Sequence, residues 1–255
     1  MKFHHLICAA LAAIGLSGAA TAAPAIPDYA QAAVADPHRP AADTGLDADR
    51  KPADMVVFAG IKPGDTVVDL IPGGGYFTRI FSKVVGPKGH VYSYQPTEMD
   101  RFAKDGKRPA IYAVAADPAY GNVTVIHAPI NDFSTPAKAD VVWTSQNYHD
   151  MHDPFMGPAD MAKVNKAIFD ALKPGGVYVV LDHAAAAGTG TADTNTLHRI
   201  DPAAVKTEVL AAGFVFAGSS DVLHNPGDDH TLKIFDPRIR HHTDQFIFKF
   251  QKPAK

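Results

Sequence analysis

The chain has 255 residues, 46% of them hydrophobic and 20% charged, with a formal net charge of -3. That composition excludes an intrinsically disordered chain and a collagen-like repeat. Aspartate and glutamate (27) outnumber lysine and arginine (24), which argues against nucleic-acid binding through a strongly basic surface.

In chain order, Lys2, His4 and His5 form a weakly basic head, Leu6 to Leu16 an apolar run, and Ser17 to Ala23 a stretch of small residues. Ala20, Thr21 and Ala22 satisfy the small-x-small cleavage rule, so residues 1–22 read as a cleavable signal peptide. The apolar run falls short of the ~18 residues that a spanning helix needs, and no later stretch reaches that length. The mature chain is therefore expected in the periplasm or outside the cell, with no stable membrane anchor. The only cysteine, Cys8, lies in the leader, so the mature chain has no disulfide, zinc-thiolate site or cysteine nucleophile to offer.

Residues 23–46 are rich in Ala, Pro and Asp. They read as a surface arm with a helical turn near Tyr29, ahead of one domain at 47–255. Asp49 to Gly60 reads as a helix with an acidic start and a glycine stop. Thr66 to Leu70 is a buried strand, broken by Pro72 to Gly75. Tyr76 to Val85 fits a helix with Phe77, Ile80, Phe81 and Val84 on one face. His90 to Tyr94 is a second strand and Thr97 to Ala116 a polar helical stretch. Val123 to His127 and Asp140 to Thr144 are further strands, followed by a helix at Ala159 to Leu172, a turn at Lys173 to Gly176 and a fifth strand at Val177 to Leu181. A helix at Pro202 to Ala212, capped by Gly213, precedes strands at Phe214 to Ser219 and Gln245 to Phe250.

This alternation predicts an α/β fold: a doubly wound, Rossmann-like, seven-stranded sheet, mostly parallel with an antiparallel last strand. Ligands of such sheets bind beyond the carboxyl ends of the strands, near the switch in strand order. Polar residues gather there: Asp69 and the glycine run after strand one, Gln95 and Glu98 after two, Asn131 and Asp132 after three, Ser145 to Asp153 after four, and Asp182 and His183 after five. Glycines between a buried strand and a helix let backbone N–H groups approach a ligand, and Asp69 can accept hydrogen bonds from a ligand amine or from those amides. The spacing is not the dinucleotide Gly-x-Gly-x-x-Gly pattern.

Val67 to Tyr76 resembles the first motif, acidic-x-Gly-x-Gly-x-Gly, of the class I S-adenosylmethionine-dependent methyltransferases, and Leu172 to Val180 resembles the turn into their fifth strand. The resemblance runs from Asp49 to Lys252 and is closest to an exported group classed as predicted methyltransferases. It implies S-adenosylmethionine as cofactor and methyl transfer to a small-molecule substrate. Cofactor binding would fall to Asp69, Gly73, Gly74 and Gly75. Gln95 stands where the family carries a ribose-binding carboxylate, with Glu98 one turn on. Asn131 or Asp132 would serve near the adenine, and Ile71 replaces the first motif glycine. The resemblance places the methyl acceptor near Asn147 to Asp153. There His149 suits a base, Asp150 or Asp182 could orient it, and Tyr148 could wall the methyl group.

Two other readings use the same residues. One is a non-catalytic, ligand-binding protein on this fold. The other is a metal-dependent enzyme drawing on His149, His152, His183 and His198 with Asp150, Asp153, Asp182 and Asp201, although no His-Glu-x-x-His spacing occurs and the leading assignment includes no metal ligand. The segment 221–244 reads as a lid or a solvated loop, in which Arg238 and Arg240 could hold an anionic substrate. Oligomeric state has no sequence signal.

Overall fold

The computed structural model describes residues 25–103, 107–157 and 159–254; the expected signal peptide lies outside them. Seven strands form one sheet: β1 (Thr66–Leu70), β2 (His90–Pro96), β3 (Val123–Ala128), β4 (Ala139–Ser145), β5 (Leu172–His183), β6 (Val215–Ser220) and β7 (Gln245–Gln251). Their order is β3-β2-β1-β4-β5-β7-β6. The first five pair in parallel, and β7 runs antiparallel between β5 and β6. The order reverses at β1, which pairs with β2 on one side and β4 on the other, so β1 and β4 flank the switch point.

The central strands are apolar because both faces of the sheet are covered. On one face, α7 (Met161–Ala171) and α9 (Pro202–Ala211) bury Val164, Ile168, Val205 and Val209 against Val142, Tyr178 and Val180. On the other, α1 (Asp28–Val34), α4 (Pro52–Ala59) and α5 (Tyr76–Val85) bury Ala30, Met55, Ile80 and Phe81 around Trp143. Phe77, Ile80, Phe81 and Val84 of α5 all face inward, as their spacing predicts. Each such burial stabilises the fold by roughly 1.5–3 kcal/mol. The ring of Phe77 sits 4.8 Å from that of Trp143.

Four segments differ from the sequence expectation. The helix expected at Asp49 to Gly60 is two helices, α3 (Asp47–Arg50) and α4, parted at Lys51, whose φ is 47°. Pro52 disfavours helical backbone at the residue before it. The arm carries α1 and α2 (Ala41–Thr44). It is docked rather than loose: Ala30 and Ala33 are buried, the buried guanidinium of Arg39 pairs with Asp47 at 2.6 Å, and Asp43 pairs with Arg79 of α5 at 2.8 Å. Thr97 to Ala116 yields a 3-10 helix at Thr97–Phe102 and α6 (Ile111–Ala116) in place of a single helix. The expected turn at Lys173 to Gly176 lies within β5, where the register against β4 slips between Ala139 and Val141.

The segment 221–244 carries no strand or α-helix but is held at the carboxyl end of β5. Buried Arg199, following the short α8 (Thr194–Leu197), donates to the carbonyls of Ala184 (2.9 Å) and Leu232 (3.0 Å) and pairs with buried Asp228 at 2.8 Å. Asp228 also accepts the backbone N–H of Asp244 at 2.7 Å. The segment is thus stapled at Asp228 and Leu232 in its middle and at Asp244, its end. Arg238 is tied to Asp236 at 2.7 Å, out on the surface, rather than aimed inward.

Candidate active site at the carboxyl ends of the strands

The glycine loop between β1 and α5 is built on an unusual backbone. Ile71 has φ 58°, a left-handed conformation that costs a β-branched residue of order 1–3 kcal/mol. It is therefore the motif's missing glycine in identity but not in backbone shape. Its N–H donates to the Tyr94 carbonyl at 2.9 Å, and its carbonyl accepts from the Asn147 side-chain amide at 3.0 Å. Gly75 has φ 84°, and a Cβ there would meet Val114 Cγ2 at 2.8 Å, so it allows α5 to begin close to α6. At Gly73 and Gly74, an added Cβ would meet nothing within 4 Å. These two present bare backbone to open space.

That space has two lobes that share Ile71 and Gly73. The smaller, about 170 Å³, is lined by Arg50, Asp69, Gly74, Tyr76 and Asn147 among others. The larger, about 520 Å³, is lined by Gln95, Met99, Phe102 and Pro109 among others and is mainly apolar. Asp69 is buried, and Thr78 donates its hydroxyl hydrogen to it at 2.5 Å. Burial pushes its pKa up to about 7 despite the hydrogen bonds from Thr78. Arg50 lies 4.6 Å from the Tyr76 ring centroid and forms no ion pair among the described residues, and burial lowers its pKa. Neither Arg50 nor Phe102 carries a sequence signal that singles it out.

Of the residues expected to hold the cofactor, Asp69, Gly73, Gly74 and Gln95 line these lobes. Gly75, Asn131 and Asp132 line neither. The Asn131 side chain accepts the N–H of Asp160, the N-cap of α7, at 2.8 Å, while exposed Asp132 lies 3.6 Å from Lys163. Glu98 is occupied as well, both of its oxygens accepting the Ile130 N–H at 3.1 and 3.2 Å. Gln95 is thus the polar side chain at the end of β2 that reaches the cavity.

After β4, the chain separates Tyr148 from His149. Tyr148 is fully buried on the α7 and α9 side, donating to Glu208 at 2.7 Å and accepting from Asn165 at 2.9 Å. It lines neither lobe of the cavity. His149 turns the other way. Its Nδ1 lies 2.8 Å from Asp182 Oδ1, its N–H donates to Asp182 Oδ2 at 2.8 Å, and its Nε2 is 3.4 Å from Asp150. Its ring meets that of His198 edge-on at 5.5 Å, and Phe235 of the stapled segment lies 5.0 Å beyond His198. Burial alone would lower the His149 pKa, but Asp182, then Asp150 and Asp153, outweigh it and raise the pKa to about 9. Burial, followed by the carboxylates Asp182 and Asp153, pushes Asp150 up to about 6 even though His149 pulls the other way. Unless another cation offsets those carboxylates, His149 keeps its proton at neutral pH rather than serving as the base that its residue type suggested.

Three other candidates for a metal set point elsewhere. His152 lies 3.2 Å from Glu208. The His183 ring lies 2.7 Å from the Thr243 hydroxyl, and burial drops its pKa to about 3. Asp201 caps α9 through the Ala203 N–H at 2.8 Å.

A seven-stranded sheet of this order, with an antiparallel β7 and a ligand-sized cleft at the switch point, is the fold of the class I S-adenosylmethionine-dependent methyltransferases. The chain is 28% identical over 126 residues to the protein-L-isoaspartate O-methyltransferase of Ignicoccus hospitalis, a match covering 49% of this chain and 51% of that protein. The chain thus spans about half the length of this curated relative. Its structure is similar to a SAM-dependent methyltransferase from Aquifex aeolicus, with TM-score 0.54 and 16% identity over 80% of this chain and 88% of that one. It is also similar to the 4+2 cyclase SpnF, with TM-score 0.58 and 16% identity over 84% and 82% of the two chains. A methyltransferase from Mesorhizobium loti gives TM-score 0.55 and 14% identity over 81% of this chain and all (100%) of that one. No protein-family model matches the chain. Among the described residues, no helix is long and apolar enough to cross a membrane.

Proposed function

We propose that the chain binds S-adenosylmethionine across the glycine loop and directs its methyl group to a small-molecule acceptor at the ends of β4 and β5. The observation that carries this reading is the pair of cavities that share Ile71 and Gly73 in their linings. The smaller lobe offers a carboxylate, Asp69, for an ammonium group and an unpaired guanidinium, Arg50, for a carboxylate, the two charged groups of a bound amino acid. The larger lobe offers Met99 and Phe102 to a flat base, with Gln95 available to ribose hydroxyls. The cofactor supplies an electrophilic methyl group. The chain's own task is alignment, because a direct displacement is accelerated chiefly by holding the reacting atoms in line.

The small-molecule acceptor is favoured by the held segment 221–244, which places Phe235 5.0 Å from His198, beside the cluster at the ends of β4 and β5. The curated relative, named for a protein substrate, makes a peptide acceptor the outcome that would revise this part. The cyclase neighbour shows that the fold does not dictate the reaction. The expected leader makes the reading one of an exported enzyme, and mass spectrometry of the protein isolated from its cells should then find a mature N-terminus at Ala23.

Calorimetry of the full chain with S-adenosylmethionine and S-adenosylhomocysteine tests the reading. Gly74 has room for a side chain and lacks a left-handed φ. Gly74→Leu should therefore abolish binding of both compounds while leaving the melting temperature unchanged. Failure of the unsubstituted chain to bind either compound at millimolar concentration would overturn the proposal.

A further inference from the structure

The cluster after β4 holds more negative charge than its fold needs. Asp150, Asp153 and Asp182 approach His149 together, and none of the three is ion-paired to a lysine or arginine among the described residues. Asp153 is 1% exposed, and neither of its oxygens has a hydrogen-bond partner. It is close enough for its charge to act on His149, Asp150 and His198 alike. A buried carboxylate without a partner is costly unless a cation answers it.

The geometry also singles out one ring nitrogen. Asp182 holds His149 by its Nδ1 and by its backbone N–H, both at 2.8 Å, which fixes the ring and leaves Nε2 facing Asp150. A carboxylate behind a histidine is the outer-shell arrangement that orients imidazole ligands of metal ions. In front of it, His149 Nε2 and Asp150 Oδ1 are 3.4 Å apart, and His198 Nδ1 and Asp150 Oδ1 are 4.0 Å apart. All three ligand atoms lie within 4.8 Å of one another. Two ligands each about 2.1 Å from a tetrahedral ion stand about 3.4 Å apart, so only His198 has to close in slightly.

We propose that His149 Nε2, Asp150 and His198 Nδ1 hold a first-row divalent transition-metal ion, with Asp182 as the positioning residue behind His149. Two imidazoles and a carboxylate suit zinc, cobalt(II), manganese or iron(II) and disfavour magnesium and calcium, which take oxygen donors. Three protein ligands leave a coordination position open, as in catalytic rather than structural sites. Resting on the proposed methyl transfer, that position would take an oxygen of the acceptor and lower its pKa; the ion site itself does not depend on that reading.

Titration of the full, metal-free chain with zinc or cobalt(II) alone, read by calorimetry and by cobalt's visible absorption, tests the site. One ion per chain is expected, with at least tenfold weaker binding in His198→Ala and in Asp150→Asn, unchanged binding in His230→Ala on the stapled segment, and no response to magnesium. Both weakened variants alter partly exposed side chains, and circular dichroism verifies that they fold. Absence of uptake, uptake unaffected by both substitutions, or uptake lost in His230→Ala would overturn the assignment. S-adenosylmethionine affinity measured on the same metal-free chain separates this outcome from failure of the cofactor reading.

Discussion

The side-chain amide of Asn147 donates to the carbonyl of Ile71 at 3.0 Å, tying the end of β4 to the strained start of the glycine loop across the switch point. The same amide also donates to the Ser145 carbonyl, at 2.5 Å. One side chain thereby holds the two backbones that border the smaller lobe. Asn147→Ala should cost about 1 kcal/mol of stability, the net worth of a typical hydrogen bond. Its larger effect should be on the ligand, because the loop conformation that exposes Gly73 and Gly74 loses a brace. A drop in S-adenosylmethionine affinity of roughly tenfold by calorimetry, with a melting temperature lowered by only a few degrees, is the expected pattern.

Arg50 stands in the smaller lobe without a carboxylate partner among the described residues. A charge-assisted hydrogen bond to a ligand carboxylate is worth roughly 1.5–3 kcal/mol. Arg50→Gln should therefore weaken S-adenosylmethionine and S-adenosylhomocysteine by about 10–100-fold. An analogue lacking the amino-acid carboxylate should bind both chains equally. Equal weakening of the analogue in the variant would show that Arg50 acts through packing on Tyr76 instead.

The alternation of strands and helices and the inward face of α5 were legible because periodicity is a local property. So was the glycine loop that borders the cavity, since three adjacent glycines between a strand and a helix exceed what a turn needs. What escaped depends on contacts between distant residues. Tyr148 and His149 are neighbours in the chain, yet the turn after β4 sends one toward Glu208 and the other toward Asp182. Glu98 matched a ribose-binding position by residue type, but the backbone N–H of Ile130 claims it. Arg50 gave no sign because the Lys51–Pro52 break that turns it toward the cavity reads, from sequence, as the interior of one helix. The Arg199–Asp228 pair joins residues too far apart in the chain to leave any pattern.

Asp69 predicts a pH dependence whose sign is fixed. Its pKa is about 7 in the folded chain against 3.8 for the free group, so the folded state holds the proton more tightly. Its contribution is fully present below pH ~4 and is lost as pH rises through ~7, by on the order of 4 kcal/mol. Arg50 and Tyr76 are the other ionisable groups lining that lobe. Chemical denaturation across pH 4–8 should show a fall in stability that is absent in Asp69→Asn. Binding should run the opposite way: an ammonium group favours the ionised carboxylate, so S-adenosylmethionine affinity should rise between pH 6 and 8, and only in the unsubstituted chain.

Arg199 and Asp228 form a buried ion pair, with the side chains 0% and 1% exposed. Removing one partner leaves a charge buried without compensation, which costs roughly 3–5 kcal/mol. Arg199→Met should therefore destabilise the chain by that order in urea denaturation, and limited proteolysis should begin within 221–244. Asp228 would still accept the backbone N–H groups of Asp244 and His230, at 2.7 and 3.0 Å. Neutralising it as well, in Arg199→Met with Asp228→Asn, should recover part of the loss, because the amide removes the buried charge and its single oxygen can keep one of those two hydrogen bonds, which go to different oxygens of Asp228. Full loss in the double variant would assign the stabilisation to the two carbonyls that Arg199 holds, those of Ala184 and Leu232, rather than to the ion pair.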